Sequence, residues 1–421
     1  MRQFVLIALL ASAATLVPAA QAAGSEDADA LSLADKASGT TEKASDWRVS
    51  VEGALGESSQ RYGKAALHTE RTSVDVQYDK SFAPGWRFSF SDRLDVGWRG
   101  DAASRNSVNT LKETYLSWQA DTNRIADLGR INVRNGVASG YKPTDYFRTG
   151  ALRSVVSVDP ASLSKNRLGS VMLRGQQLWD GGSLTALYSP KLEDQISSAP
   201  FDADLGATNN QHRWLLSASH KFSDNFSPQV LLYHAADQSP QLGLNLNRVF
   251  SDSIVAYVEW SGGQSRSLRS QALNMADDSV FRSRLSTGLT YTTAKNISLN
   301  LEYDYNGAAL DQTGWDALRR GSPVTYSRYR SVAQNIQDPV TKQSIFFFST
   351  WQDALINHLD LTGMVRFNLA DSSRLTWAEG RYHWDHVDLA LQWQRNGGRS
   401  GSEFGALTQQ RIVQAVATYF F

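Results

Sequence analysis

The stretch that decides the fold is the last one, Arg411-Ile-Val-Gln-Ala-Val-Ala-Thr-Tyr-Phe-Phe421. Read with a period of two residues, one face carries only apolar or aromatic side chains: Val413, Ala415, Ala417, Tyr419 and Phe421. The other face mixes Gln414 and Thr418 with apolar residues. Because successive side chains of a strand point to opposite faces, this pattern predicts a β-strand rather than a helix.

An aromatic residue at the end, with Tyr419 two positions before Phe421, resembles the closing strand of bacterial outer-membrane β-barrels. A barrel pairs its last strand with its first, so that no backbone edge is left unsatisfied in lipid. The resemblance implies that the barrel-assembly machinery binds the chain through Tyr419 and Phe421. It also requires many similar strands and an export signal.

The export signal is predicted at the start of the chain. A charged Met1-Arg2-Gln3 precedes an apolar run over 4–17, and Ala20-Gln21-Ala22 is typical of a cleavage site. We therefore expect a signal peptide over 1–22, with an anchoring helix as the alternative. No other segment approaches the ~20 continuous apolar residues of a membrane-spanning helix.

Composition narrows the function classes further. The chain has 42 Lys+Arg and 42 Asp+Glu, and losing Arg2 with the signal leaves a net charge of −1. This balance argues against nucleic acid as a partner. The absence of cysteine excludes disulfides, thiolate metal sites and cysteine nucleophiles, and no cofactor or metal is expected. Residues 23–46 are predicted to be a disordered periplasmic extension, and 47–421 a single barrel.

Alternating strands recur along the chain. The clearest runs from Asn296 to Asn306, and others are predicted at Trp47–Leu55, Trp86–Trp98 and Ile125–Arg134. Alternation alone fits two architectures. In a soluble sandwich the apolar face forms the core, whereas in a membrane barrel it meets lipid and the polar face meets water inside.

The lengths of the connections favour the barrel. Connections after even-numbered strands are short, at 82–85, 120–123, 179–182, 223–225, 250–253, 293–295 and 384–386. Those after odd-numbered strands are mostly long, at 56–71, 100–108, 135–165, 191–210, 262–278, 307–342 and 396–408. Three depart from the rule, namely 234–241, 352–357 and 370–373. The prediction is an all-β transmembrane antiparallel barrel of about 18 strands, or 16, with short periplasmic turns and long extracellular loops.

With the apolar face outward, many arginines point inward. The pore-lining candidates are Arg87, Arg93, Arg130, Arg134, Arg174, Arg213, Arg282, Arg284 and Arg366. Guanidinium groups stay ionised and bind carboxylates with two donors, so a basic lining would select anionic solutes. The alternative is that each arginine pairs with an inward carboxylate and only braces the wall.

The connection over 135–165 is predicted to fold into the lumen and narrow it. A loop of roughly 30 residues in a compact architecture is usually functional. The residues expected at the constriction are Tyr141, Lys142, Asp145, Tyr146 and Arg148. A mobile external loop is the alternative interpretation.

Three short motifs carry a family resemblance: Leu111-Lys-Glu-Thr-Tyr-Leu-Ser-Trp118, Leu128-Gly-Arg130 and Gly140-Tyr-Lys-Pro-Thr-Asp-Tyr-Phe147. They resemble proteobacterial outer-membrane porins of the alginate-export type. The resemblance implies a monomeric 18-stranded channel with an arginine-rich lumen, in which Arg130, Arg134 and Arg174 are the positions to match.

Two classes of function follow. The first is a passive outer-membrane channel for small or polymeric hydrophilic, anionic solutes. The second is an outer-membrane enzyme, or a structural or adhesive barrel that acts through its outside loops. No catalytic motif is recognisable around the seven histidines, and His383 and His386 are three residues apart in an extended stretch, which places them on opposite faces. The loop 307–342 could also contact lipopolysaccharide through its arginines.

Overall fold

The computed structural model describes residues 45–61, 65–99 and 105–421. The predicted signal peptide and all but the last two residues of the predicted extension lie outside this part of the chain. The described residues form one sheet of eighteen strands. The strands are β1 (Trp47–Gln60), β2 (Leu67–Ala83), β3 (Trp86–Arg99), β4 (Arg105–Asp121), β5 (Arg124–Ile131), β6 (Ser170–Trp179), β7 (Gly182–Ser189), β8 (Arg213–His220), β9 (Gln229–Ala235), β10 (Gln241–Ser251), β11 (Ile254–Ser265), β12 (Val280–Thr292), β13 (Ile297–Asn306), β14 (Gln343–Trp351), β15 (Leu359–Asn368), β16 (Arg374–His383), β17 (Val387–Gly397) and β18 (Gln409–Phe420).

The sheet closes into a barrel. Each strand pairs antiparallel with the next, and β1 pairs with both β2 and β18. In the closing pair, Ser50 lies opposite Phe420 and Gly56 lies opposite Gln414. The closed 18-strand prediction is therefore confirmed, and the 16-strand alternative is wrong.

The outer face of the wall is apolar and exposed. Leu55, Leu128, Leu301 and Leu391 each leave more than half of their surface uncovered. Transfer of one such side chain from water to an apolar medium is worth ~1.5–3 kcal/mol, so repeated exposure around the wall favours a lipid surrounding. The opposite face of β13 carries buried polar side chains, including Glu302, because loops fill the interior behind it.

Loops and turns separate to opposite ends of the barrel. The connections after even-numbered strands have two to eight residues, for example 84–85 and 221–228. The longest connections follow odd-numbered strands and are named L3 (132–169), L4 (190–212), L6 (266–279), L7 (307–342) and L9 (398–408). The ends of the barrel are called the loop side and the turn side.

Five short helices lie in these loops within the described residues. They are α1 (Pro160–Lys165) in L3, α2 (Leu205–Thr208) in L4, α3 (Leu268–Leu273) in L6, and α4 (Gln312–Arg320) and α5 (Pro323–Asn335) in L7. L7 packs its helices around the fully buried Trp315 and Tyr329 and onto L6. None of the described helices is long and apolar enough to cross a membrane.

Strand β5 ends earlier than the alternation predicts. The expected strand reached Arg134, but pairing with β4 stops at Arg130 and the strand itself stops at Ile131. From Asn132 onward the chain leaves the wall and enters the interior as L3.

Candidate functional site

L3 crosses the interior of the barrel and docks on the opposite wall. It starts after β5 and returns at β6, yet its backbone binds side chains of β11 and β13, across the barrel. This placement agrees with the prediction that the loop folds into the lumen. Two buried carboxylates, Glu259 and Glu302, make the contacts.

Glu259 on β11 is fully buried and accepts four hydrogen bonds from L3. Its Oε2 accepts from the backbone N–H groups of Val137 and Ala138 at 2.8 and 2.9 Å. Its Oε1 accepts from both the backbone N–H and the hydroxyl of Thr144 at 2.8 Å. A buried carboxylate needs such a complement of donors to offset its lost hydration.

Glu302 on β13 holds the next three residues of the loop. Its Oε2 accepts from the Ser139 N–H at 2.8 Å, and its Oε1 accepts from the Gly140 and Tyr141 N–H groups at 3.0 and 2.8 Å. The hydroxyl of Tyr257 donates to the same carboxylate at 2.6 Å. Together the two glutamates form the L3 clasp, which fixes residues 137–144 against the wall.

L3 is also tied to L7. The Arg148 guanidinium donates to Asp338 at 2.5 Å, and the Tyr141 hydroxyl donates to Asp338 at 3.3 Å. Burial lowers the pKa of Arg148 while Asp338 raises it, and the net shift is upward, so Arg148 stays charged. Burial also raises the pKa of Tyr141, so its hydroxyl keeps its proton.

Apolar packing completes the docking of L3. Phe147 is buried in a cluster with Leu215, Leu231 and Tyr233, and the Tyr146 ring stacks on Tyr233 with centroids 4.4 Å apart. These contacts pack L3 against the inner face of β4–β9. The space that remains lies on the other side of L3.

Three cavities follow one another beside L3, along the wall formed by β16–β18 and β1–β3. The outer cavity, about 560 Å³, lies between residues 154–158 of L3 and the wall. The narrow cavity, about 260 Å³, shares Ser157 and Trp377 with it. The inner cavity, about 210 Å³, lies nearer the turn side, and Lys165 in its lining is the chain neighbour of Asn166 in the narrow cavity.

The narrow cavity is lined by equal numbers of cationic and anionic side chains. Its ionisable residues are Glu52, Arg71, Arg93, Asp159, Glu379 and Arg381. The cations are already paired: Arg93 contacts Asp95 at 3.0 Å and Glu52 at 3.2 Å, and Arg381 contacts Glu379 at 2.8 Å. This part of the passage carries both signs of charge.

The carboxylate of Asp159 in the same cavity caps the helix α1. It accepts from the Ser162 N–H at 2.8 Å. Burial raises the pKa of Asp159, against the lowering effect of that hydrogen bond.

The inner cavity is basic. Five cationic side chains line it against two anionic ones, Asp79 and Glu113, a surplus of three positive charges. The cations are Arg48, Arg87, Lys112, Arg134 and Lys165. The side chain of Arg87 is 48% exposed, so a solute can reach it.

The structure divides the predicted arginines into two groups. Arg87, Arg93 and Arg134 line the cavities. Others hold elements in place: Arg284 pairs with Asp338, Arg366 donates to the Gly140 carbonyl, and Arg174 pairs with Asp127. Arg213 is buried over the Phe147 ring, and Arg282 binds Asp278 in L6. Three of these five, Arg284, Arg174 and Arg282, pair with a carboxylate as the alternative interpretation predicted, whereas Arg366 and Arg213 contact backbone carbonyls and aromatic rings.

Arg130 does not point into the lumen. It lies opposite Thr114 and Val171, on the face that carries the outward Leu128. The residue is only 2% exposed, and the prediction of an inward arginine is wrong at this position. The error has a physical cause: the apolar Ile131 packs into the interior cluster with Phe147, so the apolar face of β5 points inward here and its neighbour Arg130 points outward, under L4.

The residues predicted at the constriction lie elsewhere in L3. Tyr141, Asp145 and Arg148 are buried, and with Lys142 they line a separate cavity of about 280 Å³ between L3, L7 and L9. Tyr146 is half-buried in the docking cluster. The segment beside the open passage is 154–166. Its valines are neither charged nor aromatic, so the sequence pattern did not identify them.

Sequence reasoning also missed Lys112 and the L3 clasp. A β-bulge at Lys112 breaks the alternation on which the inward set depends, and its ammonium contacts Asp75 at 2.6 Å. The alternation along β13 is consistent with an inward Glu302, but it gives no signal that this carboxylate binds a loop. His383 contacts Asp388 at 2.8 Å inside the wall, whereas His386 lies beside Tyr419, so the two do not share a site.

The fold is a closed 18-strand antiparallel barrel with a loop docked inside it, and solved structures show the same architecture. The neighbours are outer-membrane porins of the Occ and OprD type with an 18-strand barrel. Comparison with protein-family models gave no match, and no curated protein matches the sequence.

Three neighbours illustrate the likeness. Acinetobacter baumannii OccAB1 has a TM-score of 0.55 at 10% identity, over 89% of this chain and 96% of that one. Pseudomonas aeruginosa OpdQ has 0.54 at 11% identity, over 90% and 99%. Pseudomonas aeruginosa OccK2 (OpdF), solved in complex with glucuronate, has 0.52 at 11% identity, over 89% and 97%. At these identities the likeness concerns the fold.

Proposed function

We propose that the protein is a passive outer-membrane channel for small hydrophilic solutes, with a preference for anions. The observation that carries the proposal is the row of three cavities left open beside L3 inside a closed barrel, two of which, the narrow and the inner one, are lined mainly by charged and polar side chains. A barrel of this strand number is wide enough for an aqueous channel, and a docked loop restricts it to small solutes.

The inner cavity supports the anion preference. Five of its seven charged lining residues are cationic, and although Lys112 is paired with Asp75, the half-exposed Arg87 guanidinium can bind a carboxylate with two donors. The glucuronate held by OccK2 is a solute of this chemistry. The narrow cavity, with equal numbers of both charges, contributes sieving by size rather than selection by sign.

The finer assignments belong to the same proposal. The motifs at 111–118, 128–130 and 140–147 support membership of the alginate-export-type group. The exposed Tyr419 and Phe421 suit recognition by the assembly machinery, and export through cleavage after Ala22 would bring the protein to the outer membrane. Lipid and lipopolysaccharide would then surround the barrel, with the long loops outside the cell.

Planar-bilayer recording tests the proposal. The purified protein should give discrete single-channel steps, and a salt gradient should produce a reversal potential that indicates anion preference. A cation-selective channel would refute the role of the inner cavity. A protein that inserts but never conducts would refute the channel itself and favour the enzyme or adhesive barrel.

A further inference from the structure

L4 occupies a place in the barrel wall where a strand pairing is missing. Strand β4 extends to Arg105, but β5 pairs with it only as far as Thr114. The part of β4 beyond Thr114 therefore has no strand partner on that side. An exposed backbone edge at membrane depth has to be satisfied by other groups.

The loops supply the missing partners. The Asn109 N–H donates to the Pro200 carbonyl of L4 at 2.8 Å, and the Asn109 carbonyl accepts from Arg153 at 2.8 Å. Arg153 also donates to the carbonyls of Ala199 and Asp202, which fixes L4 to L3 at this edge. L4 thus takes the position of a strand on the wall.

The burial of Arg130 shows on which side L4 lies. Leu128 and Arg130 share the outward face of β5, yet Leu128 is 62% exposed and Arg130 is 2% exposed. The charged groups that act on Arg130 are Asp204 and Asp202 of L4, together with Arg153. L4 therefore covers the outward face just beyond Leu128.

The covering segment exposes both apolar side chains and charged ones, the latter including Asp194 and Asp202. Phe201 is 71% exposed and Ile196 is 63% exposed. The attachment point is Asn109 on β4. It lies four residues toward the turn side from Arg105, the partner of Trp98, which corresponds to about 13 Å along the strand. Two large apolar side chains of L4 are thus exposed in the loop that covers the outward face of β5.

We infer that L4 is a membrane-contact element, whose Phe201 and Ile196 lie among the acyl chains of the outer leaflet. The inference rests on the proposed outer-membrane location, and it assigns L4 to lipid rather than to water or to another protein. Apolar and aromatic side chains on an ordered loop at this depth gain free energy from acyl chains, as the outer wall does.

The absence of cysteine in the chain allows a direct test. Single variants Phe201→Cys and Ile196→Cys, each carrying a nitroxide, are reconstituted in lipid vesicles, and collision with oxygen is compared with collision with a water-soluble nickel chelate. Leu128→Cys is the lipid-facing control, and Val324→Cys in L7, 60% exposed, is the aqueous control of matched exposure.

The inference expects an oxygen-to-nickel ratio at 196 and 201 that matches Leu128 and exceeds Val324. A ratio that matches Val324 would overturn it, and so would spin–spin broadening from a second copy of the chain. If Leu128 itself gives the aqueous ratio, the membrane location fails, which is a different outcome from failure of the L4 assignment alone.

Discussion

Removal of the charge from Glu302 should loosen L3. In Glu302→Gln the amide oxygen can keep the N–H groups of Gly140 and Tyr141, but the amide nitrogen then faces the Ser139 N–H, which loses its acceptor. A hydrogen bond to a charged group contributes about 1 kcal/mol more than a neutral one, and an unsatisfied buried donor costs ~1–3 kcal/mol.

The loss for the docked loop is therefore about 3–5 kcal/mol. Since each 1.4 kcal/mol is a factor of ten, the docked population falls roughly a hundredfold to several thousandfold relative to the undocked one. In the single variant, L3 is still held by Glu259, Arg148 and the aromatic cluster. We therefore expect this variant to show open-channel noise. The double variant Glu259→Gln/Glu302→Gln should have a larger mean current, because the whole clasp is lost.

Single-channel recording of both variants is the assay. The matched control is Glu193→Gln on the exposed surface of L4, which should leave current and noise unchanged. Heat-dependent migration on a denaturing gel checks that each barrel is folded. If a folded double variant has the current and noise of the wild type, the clasp does not position the loop.

Three further predictions concern single side chains. Gly140→Ala places a methyl group against the phenylalanine ring of Phe346 on β14. This overpacking should cost ~1–3 kcal/mol and lower the unfolding temperature, whereas Gly53→Ala, with open space around it, should leave that temperature unchanged. Asp338→Asn leaves two buried arginines without their carboxylate, so limited proteolysis should cut L7 faster while the barrel stays intact. In Arg87→Gln the reversal potential should shift toward cation preference. The shift should be larger at low salt, because a Debye length of ~10 Å at 0.1 M limits the field of this charge.

The barrel could be predicted from the sequence because lipid outside and polar groups inside impose a period of two on each strand. The closing strand, the face of β13 and the alternation of loops and turns all follow from that constraint. The inward position of Lys112 could not be predicted, because one bulge shifts the alternation by a residue. The outward position of Arg130 could not be predicted either, because a loop covers the wall on its outer side there.

The candidate site was less predictable, because a loop has no periodicity. Length alone indicated that L3 enters the lumen, but its docking depends on which distant carboxylates meet its backbone N–H groups. Glu259 and Glu302 are 115 or more residues from the loop positions they hold. Tyr141 and Arg148 consequently face the docked side, and Val156 and Ser157 face the open passage.

The passage beside L3 can be tested most directly by blocking it. Ser157→Cys lies between the outer and narrow cavities, and Leu301→Cys on the outer wall, 57% exposed, is the control. A bulky methanethiosulfonate reagent added during single-channel recording should reduce the current through the Ser157→Cys channel and leave the Leu301→Cys channel unchanged. Complete labelling at position 157 without any loss of current would contradict the account, because solutes would then not pass beside L3.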